Sequence, residues 1–344
     1  MRAAVTQGIG AIALQERPEP SRPGPGEVLL RPEAIGICGS DYHYFAGELS
    51  PAAGGGTFPR VQGHEVGATI AAVGAECRDE LAVGRRVAVW PLRACGRCYP
   101  CSVGRENACD EFSLIGIHAD GGLQELLCAD QDQVFPVATA DAALAAMAEP
   151  VSIAVRAVRR GAVSPGEPVV VLGAGPIGQC VAVVARERGA EVLVVDLQES
   201  RLELARDCGA ETLVWTDAEQ VVSGARSWSG GAGPPVVVDA TGVPAAVRAM
   251  VDMVASAGRA VQVGMSVGEV ALRIGSLTEK EIDLLGVSCA NGADFAEAVG
   301  VVERNGDALA RLISHEFPLD RAPEALRFAI SNPTEVMKVV IRNG

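Results

Sequence analysis

The sequence predicts a two-domain α/β protein, in which an N-terminal β domain precedes a doubly wound parallel sheet. The chain has 344 residues, which suits two domains at roughly 100–200 residues per domain. Its first part alternates apolar and polar residues and contains proline- and glycine-rich turns, as at 18–26. From residue 168 onward, short apolar runs alternate with segments of helical spacing. This alternation predicts a parallel sheet covered by helices.

Composition and charge exclude several classes of protein. The net charge is −14, whereas a nucleic-acid-binding protein needs a basic surface. No apolar run reaches the length of a membrane span, about 18 residues or more. The start of the chain, Met1 to Thr6, alternates like a strand and lacks the apolar core of a signal peptide. We therefore expect a soluble cytoplasmic protein with a small-molecule substrate and neither nucleic acid nor membrane as a partner.

Four of the ten cysteines lie close together, with the spacing C-x2-C-x2-C-x7-C: Cys95, Cys98, Cys101 and Cys109. Cytoplasmic cysteines are mostly reduced, so disulfides are not expected here. Thiolates at these steps can converge on one ion, and zinc takes four thiolates in closed structural sites. An iron–sulfur cluster is the alternative. A metal with all four positions filled by thiolate has no position for substrate, so its predicted role is structural.

A glycine-rich turn lies between two apolar runs in the second half of the chain. Val169 to Leu172 predicts a strand buried on both faces, and Gly173-Ala174-Gly175-Pro176-Ile177-Gly178 fits G-x-G-x-x-G. A helix is expected from Gln179 to Gly189, followed by a strand from Val192 to Val195. Such glycines let the backbone approach a pyrophosphate at the helix N-terminus. A glycine-rich turn in another α/β fold is the alternative.

The residue after the second strand indicates which dinucleotide is bound. Asp196 lies 18 residues beyond Gly178, where a carboxylate meets the adenosine ribose diol. Its charge would repel a 2′-phosphate, so NAD is favoured over NADP. Surface loops without a phosphate-binding role are expected at 52–56 and 223–235. Further strands and helices are predicted at Arg201–Cys208 (helix), Thr212–Trp215 (strand), Pro235–Asp239 (strand), Ala245–Ala255 (helix) and Ala260–Gly264 (strand).

The first half offers residues for a second metal ion. A dinucleotide site implies hydride chemistry, and removing a hydride from an alcohol also requires removing its proton. A zinc ion with an open coordination position acidifies a bound hydroxyl, and such a zinc takes three ligands of the Cys, His or carboxylate kind. Cys38 and His64, from "GICGSDYH" and "GHE", fit this set. Glu149, in "MAEP", is placed for the third position.

Together these motifs resemble the zinc-dependent medium-chain dehydrogenases over essentially the whole chain. The resemblance rests on Cys38-Gly39-Ser40-Asp41, Gly63-His64-Glu65, the four-cysteine segment, Glu149-Pro150 and the glycine motif. It implies a GroES-like β domain at 1–150 with a structural zinc lobe at about 93–112, a Rossmann domain at 151–289 and a C-terminal segment at 290–344 that completes the β domain. It also implies two zinc ions per chain.

The resemblance assigns roles to individual residues. It implies that Cys38, His64 and Glu149 hold the catalytic zinc, while Glu65 is a nearby carboxylate that can exchange as a ligand. Ser40 and His43 would carry the substrate proton outward by way of the nicotinamide ribose; a structural hydrogen bond is the alternative for His43. The implied cofactor contacts beyond the glycine motif and Asp196 are Arg201 at the adenosine ribose, Thr241, Gly264, and Lys338 at the pyrophosphate, for which a surface lysine is the alternative.

Within the family, the chain is most similar to the sorbitol, threonine and galactonate dehydrogenase branch. Glu149 stands where ethanol dehydrogenases have a third cysteine, and "GIHADGG" at 116–122 resembles the sugar-acid enzymes. The segment 286–295 lacks the arginine–aromatic pair of sorbitol dehydrogenases. We therefore expect a homotetramer (or homodimer) that oxidises a secondary alcohol of a polyol, sugar or sugar acid with NAD. The alternatives are a non-catalytic NAD- and zinc-binding regulator and a primary or aryl alcohol dehydrogenase.

Overall fold

The computed structural model describes residues 1–48, 57–266 and 268–343, so the loop expected at 52–56 lies outside the described residues. The chain divides into two units, Met1–Glu149 with Asn291–Gly344 and Pro150–Ala290. Nowhere in the described ranges is a helix long and apolar enough to cross a membrane.

The strands of the described residues are β1 (Arg2–Gly8), β2 (Ala11–Glu16), β3 (Glu27–Ile37), β4 (Arg60–Val61), β5 (Glu65–Val73), β6 (Arg86–Val89), β7 (Leu92–Arg93), β8 (Ser113–Leu114), β9 (Leu127–Asp130), β10 (Val134–Pro136), β11 (Pro168–Leu172), β12 (Glu191–Asp196), β13 (Glu211–Val214), β14 (Val236–Asp239), β15 (Arg259–Gln262), β16 (Asp283–Gly286), β17 (Ile313–Pro318) and β18 (Lys338–Arg342).

The helices are α1 (Gly39–Ala46), α2 (Tyr99–Ser102), α3 (Ala142–Ala146), α4 (Ala148–Arg160), α5 (Pro176–Glu187), α6 (Glu199–Asp207), α7 (Ala218–Trp228), α8 (Pro244–Met253), α9 (Ile274–Lys280), α10 (Gly292–Arg304), α11 (Gly306–Ala310) and α12 (Ala322–Ser331).

The first unit is built on a mixed sheet with the strand order β10-β6-β5-β3-β18-β17, to which β9 adds by pairing with β3. The C-terminal strand β18 lies antiparallel to β3, with Val339 opposite Ile37. On its other side β3 pairs with β5, with Gly36 opposite Glu65. This register brings the end of β3, the start of β5 and the start of β18 to one place in the sheet.

The second unit is a doubly wound parallel sheet, as the sequence predicts. Its strand order is β13-β12-β11-β14-β15-β16. The chain starts at β11, in the centre, builds outward through β12 and β13, and then returns to the other side of β11 with β14. The neighbouring strands β11 and β14 are therefore the point where the strand order reverses, and ligands of such sheets bind at the carboxyl ends of the strands there. Val169 to Leu172 are fully buried.

The surface loop predicted at 223–235 is wrong over its first part, because α7 extends to Trp228. Asp217 caps the helix by accepting a hydrogen bond from the Gln220 N–H at 2.9 Å. Val221 and Ala225, four residues apart, are buried against the sheet. This apolar stripe stabilises the helix although the segment contains glycine and serine, and the serine- and glycine-rich composition concealed it.

Candidate metal centres and cofactor crevice

The four clustered cysteines converge on a common point. Their Sγ atoms all lie within 4.8 Å of one another, and Cys98 Sγ is 3.4 Å from Cys101 Sγ and 3.7 Å from Cys109 Sγ. At a Zn–S distance of about 2.3 Å, the edge of a thiolate tetrahedron is about 3.8 Å. A disulfide would require about 2.05 Å, and a cluster of several irons holds its cysteines on different metal atoms. The donor set therefore fits a single zinc ion.

Backbone amides favour the thiolate form of Cys95, whereas burial and the neighbouring thiols raise the pKa of Cys101 to about 12. The N–H groups of Cys95 and Glu111 point to Cys109 Sγ at 3.2 and 3.3 Å. Backbone N–H groups of Arg97 and Cys98 lower the pKa of Cys95 to about 7. Since only the thiolate binds metal, these donors favour metal binding at neutral pH.

A second group of possible ligands lies at the junction of β3, β5 and β18. Cys38 caps α1 directly after β3, His64 precedes β5 and Glu65 begins it. Ligand atoms of these three residues lie within 4.8 Å of one another. Gly36 stands opposite Glu65, and a Cβ there would lie 2.0 Å from Glu65 Oε2. Glycine is therefore required at this position, because any side chain would displace the carboxylate.

His64 is held in a buried polar network. Its side chain is 8% exposed, and its Nδ1 lies 3.7 Å from Asp41 Oδ2 with no hydrogen-bond partner among the described residues. Its Nε2 is 3.5 Å from Ser40 Oγ. Gln62 Nε2 donates to Asp41 Oδ1 at 3.2 Å, which holds the carboxylate in place. A buried imidazole is costly unless its nitrogens have partners, and a metal at one nitrogen with Asp41 beside the other would satisfy both.

Glu65 and Lys338 form a buried ion pair. Lys338 Nζ donates to both carboxylate oxygens of Glu65, at 2.6 and 2.8 Å, and to the Ile37 carbonyl at 3.4 Å. Lys338 is 3% exposed. The alternative of a surface lysine is therefore wrong, and the contact of Lys338 with the pyrophosphate stays a prediction. Its ammonium lies at the start of a buried strand, and its donors are engaged within the first unit.

Glu149, the predicted third ligand, belongs to the same buried cluster of charges but not to the group within 4.8 Å. It lies in the first turn of α4 and is 9% exposed. The pKa of Glu149 is raised to about 7, because burial and the nearby Glu65 raise it by more than His64 lowers it. Of the two glutamates, Glu65 is therefore the one grouped with Cys38 and His64. The charge of Glu65 is balanced by Lys338.

The residues of the predicted proton path lie on α1. Ser40 and His43 are three residues apart and hence on one face of the helix. Ser40 is next to His64, as described above, and His43 Nδ1 contacts the Glu48 carboxylate. The His43 side chain is 37% exposed. The helix thus carries one hydroxyl near the possible metal ligands and one imidazole near solvent.

The local structure favours glycine at each of the three motif positions in the second unit for a different reason. Gly173 has φ +96°, and a Cβ there would lie 2.6 Å from Thr241 Cγ2. A Cβ on Gly178 would lie 1.8 Å from the Gly173 carbonyl oxygen, so close packing of helix on turn needs glycine. Around Gly175, at the N-terminus of α5 with Pro176 and Ile177, nothing lies within 4 Å of an added Cβ. That open space is where a pyrophosphate approaches in this kind of turn.

Asp196 lies at the end of β12, beside the glycine turn. Its Oδ2 accepts the Ala174 N–H at 2.7 Å and its Oδ1 accepts the Gln198 N–H at 2.8 Å. Gln179 Nε2 ties α5 to α6 by donating to the Arg201 carbonyl at 2.8 Å. The carboxylate is therefore fixed in position before any ligand binds, which suits recognition of a ribose diol.

Sequence reasoning missed an apolar rim at the carboxyl ends of three strands. Leu197 follows β12, Val243 follows β14 and Met265 follows β15, and they are 72%, 52% and 59% exposed. Exposed large apolar residues around a cleft mark ligand sites. The available signal was an apolar residue just beyond each strand end, where a turn is usually polar.

A β unit with two zinc-type donor sets, followed in the same chain by a doubly wound sheet with a dinucleotide turn, defines the class of zinc-dependent dehydrogenases. Residues 24–139 match the alcohol dehydrogenase GroES-like domain, and residues 176–304 match the zinc-binding dehydrogenase family. The chain belongs to this family of oxidoreductases, and the resemblance and the fold class predicted from the sequence are confirmed.

Individual relatives cover nearly the whole chain. The chain is 36% identical to the L-galactonate-5-dehydrogenase of Escherichia coli K12, over 93% of this chain and 92% of the relative. An alcohol dehydrogenase from Escherichia coli CFT073, solved with NADH, has a TM-score of 0.88 at 30% identity, with 99% of both chains covered. A zinc-binding dehydrogenase from Sinorhizobium meliloti, solved with NADP, has a TM-score of 0.89 at 30% identity, with 99% and 98% covered.

Proposed function

We propose that the protein oxidises a secondary alcohol of a polyol, sugar or sugar acid and transfers the hydride to NAD. The observation that carries this proposal is the group formed by the half-buried Cys38 and the buried His64 and Glu65, with Glu149 in the same cluster of charges. Its donors are those of an open catalytic zinc site. The similarity to L-galactonate-5-dehydrogenase supports a polyhydroxylated substrate. Family membership does not favour the non-catalytic alternative.

Zinc held by Cys38, His64 and a glutamate would supply a Lewis acid that lowers the pKa of an alcohol hydroxyl. The side chains around it have separate tasks. Asp41 lies beside Nδ1 of His64 and, held by Gln62, favours one orientation of the imidazole. Ser40 Oγ, 3.5 Å from His64 Nε2, would accept the substrate proton. His43, oriented by Glu48 at the surface, can release that proton to water.

The buried charges explain why two glutamates are present. The carboxylates of Glu65 and Glu149 and the thiolate of Cys38 would repel each other in a site of low polarity. Lys338 neutralises Glu65 and holds both of its oxygens, which leaves Glu149 as the more available ligand. We propose that Glu149 completes the resting site and that Glu65 is held in reserve by Lys338.

The edge of the parallel sheet and the four-cysteine site support proposals for the assembly and the location of the protein. We propose a homotetramer or homodimer, because β16 is an edge strand of the parallel sheet in the described part of the chain. Its Leu284 side chain is 42% exposed. An unpaired edge of this kind favours pairing with a second copy. We also propose a cytoplasmic location, since the four-thiol site requires reduced cysteines.

Asp196 predicts the choice of cofactor. Wild-type protein is expected to prefer NAD over NADP by kcat/KM, because the fixed carboxylate repels a 2′-phosphate. Asp196→Ala should reduce this preference about tenfold or more, since two like charges about 4 Å apart near a protein surface cost about 4 kcal/mol, and about 1.4 kcal/mol already corresponds to a factor of ten. Glu199→Ala is the control: Glu199 lies nearby on α6 but pairs with Arg206, and its loss should leave the ratio unchanged. A wild-type preference for NADP would contradict the prediction.

A substrate panel tests the proposed reaction. Reduction of NAD is expected with sugar acids or polyols that carry a secondary hydroxyl, and only weakly with ethanol or benzyl alcohol. A carboxylate ligand makes the metal harder and more tolerant of vicinal hydroxyls, and aromatic residues are only 4% of the chain, so a pocket for aryl alcohols is not expected. Sorbitol itself should be a poor substrate. Strong turnover of ethanol, with none of any polyhydroxylated compound, would contradict the assignment.

A further inference from the structure

A carboxylate that the motifs do not include organises the turn after β14. Asp239 ends this strand and is fully buried. Its oxygens accept four hydrogen bonds: from Thr241 N–H at 3.2 Å, Thr241 Oγ1 at 2.6 Å, Gly242 N–H at 2.9 Å and Gln262 Nε2 at 2.6 Å. A carboxylate offers about four lone-pair sites. All of its accepting capacity is thus used within the second unit.

The same residue joins two neighbouring turns. The Asp239 carbonyl accepts the N–H groups of Val263 and Gly264, both at 2.9 Å. Through its side chain it holds Gln262, whose Nε2 also donates to the Gly264 carbonyl at 2.7 Å. The turn after β14 and the turn after β15 are therefore tied to one buried group.

These turns touch each other with no room for a side chain. A Cβ on Gly264 would lie 2.1 Å from the Gly242 nitrogen, and a Cβ on Gly242 would lie 2.0 Å from the Met265 oxygen. Thr241, held by Asp239, is also the residue that a Cβ on Gly173 would strike. The conformation of both turns therefore depends on the hydrogen bonds that Asp239 accepts.

The position of the turns assigns them to one half of a dinucleotide. In a doubly wound sheet the two nucleotide halves bind on opposite sides of the point where the strand order reverses. Asp196, at the end of β12, lies on the adenosine side. The strands β14 and β15 lie on the other side of β11, as the strand order shows. Thr241, Gly264 and the apolar Val243 and Met265 thus line the side expected for the nicotinamide half.

We propose that Asp239 is a positioning residue for the nicotinamide half of the cofactor. Its carboxylate holds the turns after β14 and β15 in the conformation that receives the nicotinamide nucleotide, while adenosine binding depends on β12. This inference rests on the proposed NAD-linked function. It gives a functional role to the buried carboxylate of Asp239, which belongs to neither group of possible metal ligands.

Asp239→Asn tests the proposal with little change of volume. The new amide N–H₂ replaces an acceptor and faces donors, so at least one hydrogen bond is lost and a donor is left unpaired. The dissociation constant for NADH, measured by calorimetry on the zinc-loaded protein, should rise about tenfold or more. That for AMP, which carries only the adenosine half, should change less than about twofold. Asp196→Asn is the matched control and should weaken AMP and NADH together.

The outcomes separate the proposal from the function on which it rests. Equal weakening of AMP and NADH by Asp239→Asn, or wild-type binding of both, would overturn the positioning role. If wild-type protein binds no nicotinamide dinucleotide, the proposed function itself fails. If Asp239→Asn does not fold, Gln262→Met decides. It removes one of the four donors and leaves the carboxylate in place, so it must show the same selective loss of NADH affinity, and binding unchanged from wild type would overturn the proposal.

Discussion

Replacing Cys98 by serine is expected to prevent stable folding of the four-cysteine segment, whereas replacing Cys38 by serine is expected to abolish turnover and leave the fold intact. Structural zinc contributes about 10–16 kcal/mol to the folding of small zinc domains, and little other packing holds this segment: Cys109 is buried, while Cys95, Cys98 and Cys101 are partly exposed. A catalytic zinc contributes several kcal/mol to the transition state, so losing a ligand should cost about a thousandfold or more in kcat.

Metal content is the measurement that separates the two sites. Wild-type protein should contain two zinc ions per chain, and each variant should lose one. Cys77→Ser is the control, since Cys77 donates to the Glu27 carbonyl at 3.3 Å, packs against the core of the first unit and belongs to neither metal group. It should keep both ions and full activity. One zinc or fewer in wild-type protein after zinc supplementation would refute the two-site prediction.

The parts of the site that sequence reasoning predicted are those encoded in short segments. The four cysteines lie within 15 positions, 95–109, and the glycine motif within six, 173–178. Their spacing alone indicates the chemistry, because the ligands or the phosphate-binding turn are neighbours in the chain. The β12 carboxylate was equally accessible, since a strand of standard length separates it from the preceding helix.

Partners far apart in sequence escaped this reasoning. Lys338 and Glu65 are 273 positions apart, and the pairing of β3 with β18 on one side and with β5 on the other brings them together. Without that register, Lys338 was assigned to the pyrophosphate, with a surface lysine as the alternative. Asp239 was seen as the end of a strand, but its partner Gln262 comes from the next strand of the sheet. Long-range pairing sets such contacts, and local periodicity carries no information about them.

Breaking the buried ion pair between Lys338 and Glu65 is also expected to cause a large loss of stability. Lys338→Met should lower the free energy of unfolding by about 3–5 kcal/mol, because it leaves an unpaired carboxylate in a buried place. Burial alone lowers the pKa of the Lys338 ammonium, but Glu65 and Cys38 raise it above its usual value, so the native lysine is charged at neutral pH. Urea denaturation of the zinc-loaded protein measures the loss.

Two further variants show whether the loss comes from the unpaired charge. Arg342→Met, on the same strand, breaks the half-exposed pairs of Arg342 with Asp141 and Glu316, and exposed pairs contribute at most about 1 kcal/mol each. It should therefore cost less than Lys338→Met. The double variant Lys338→Met with Glu65→Gln removes both charges and should recover part of the stability, since a neutral amide is cheaper to bury than a carboxylate. If the single Lys338→Met variant is as stable as Arg342→Met, Glu65 is not buried as a charged group. The assignment of Glu149 as the third ligand rests on Lys338 neutralising Glu65, so that result would contradict the assignment as well.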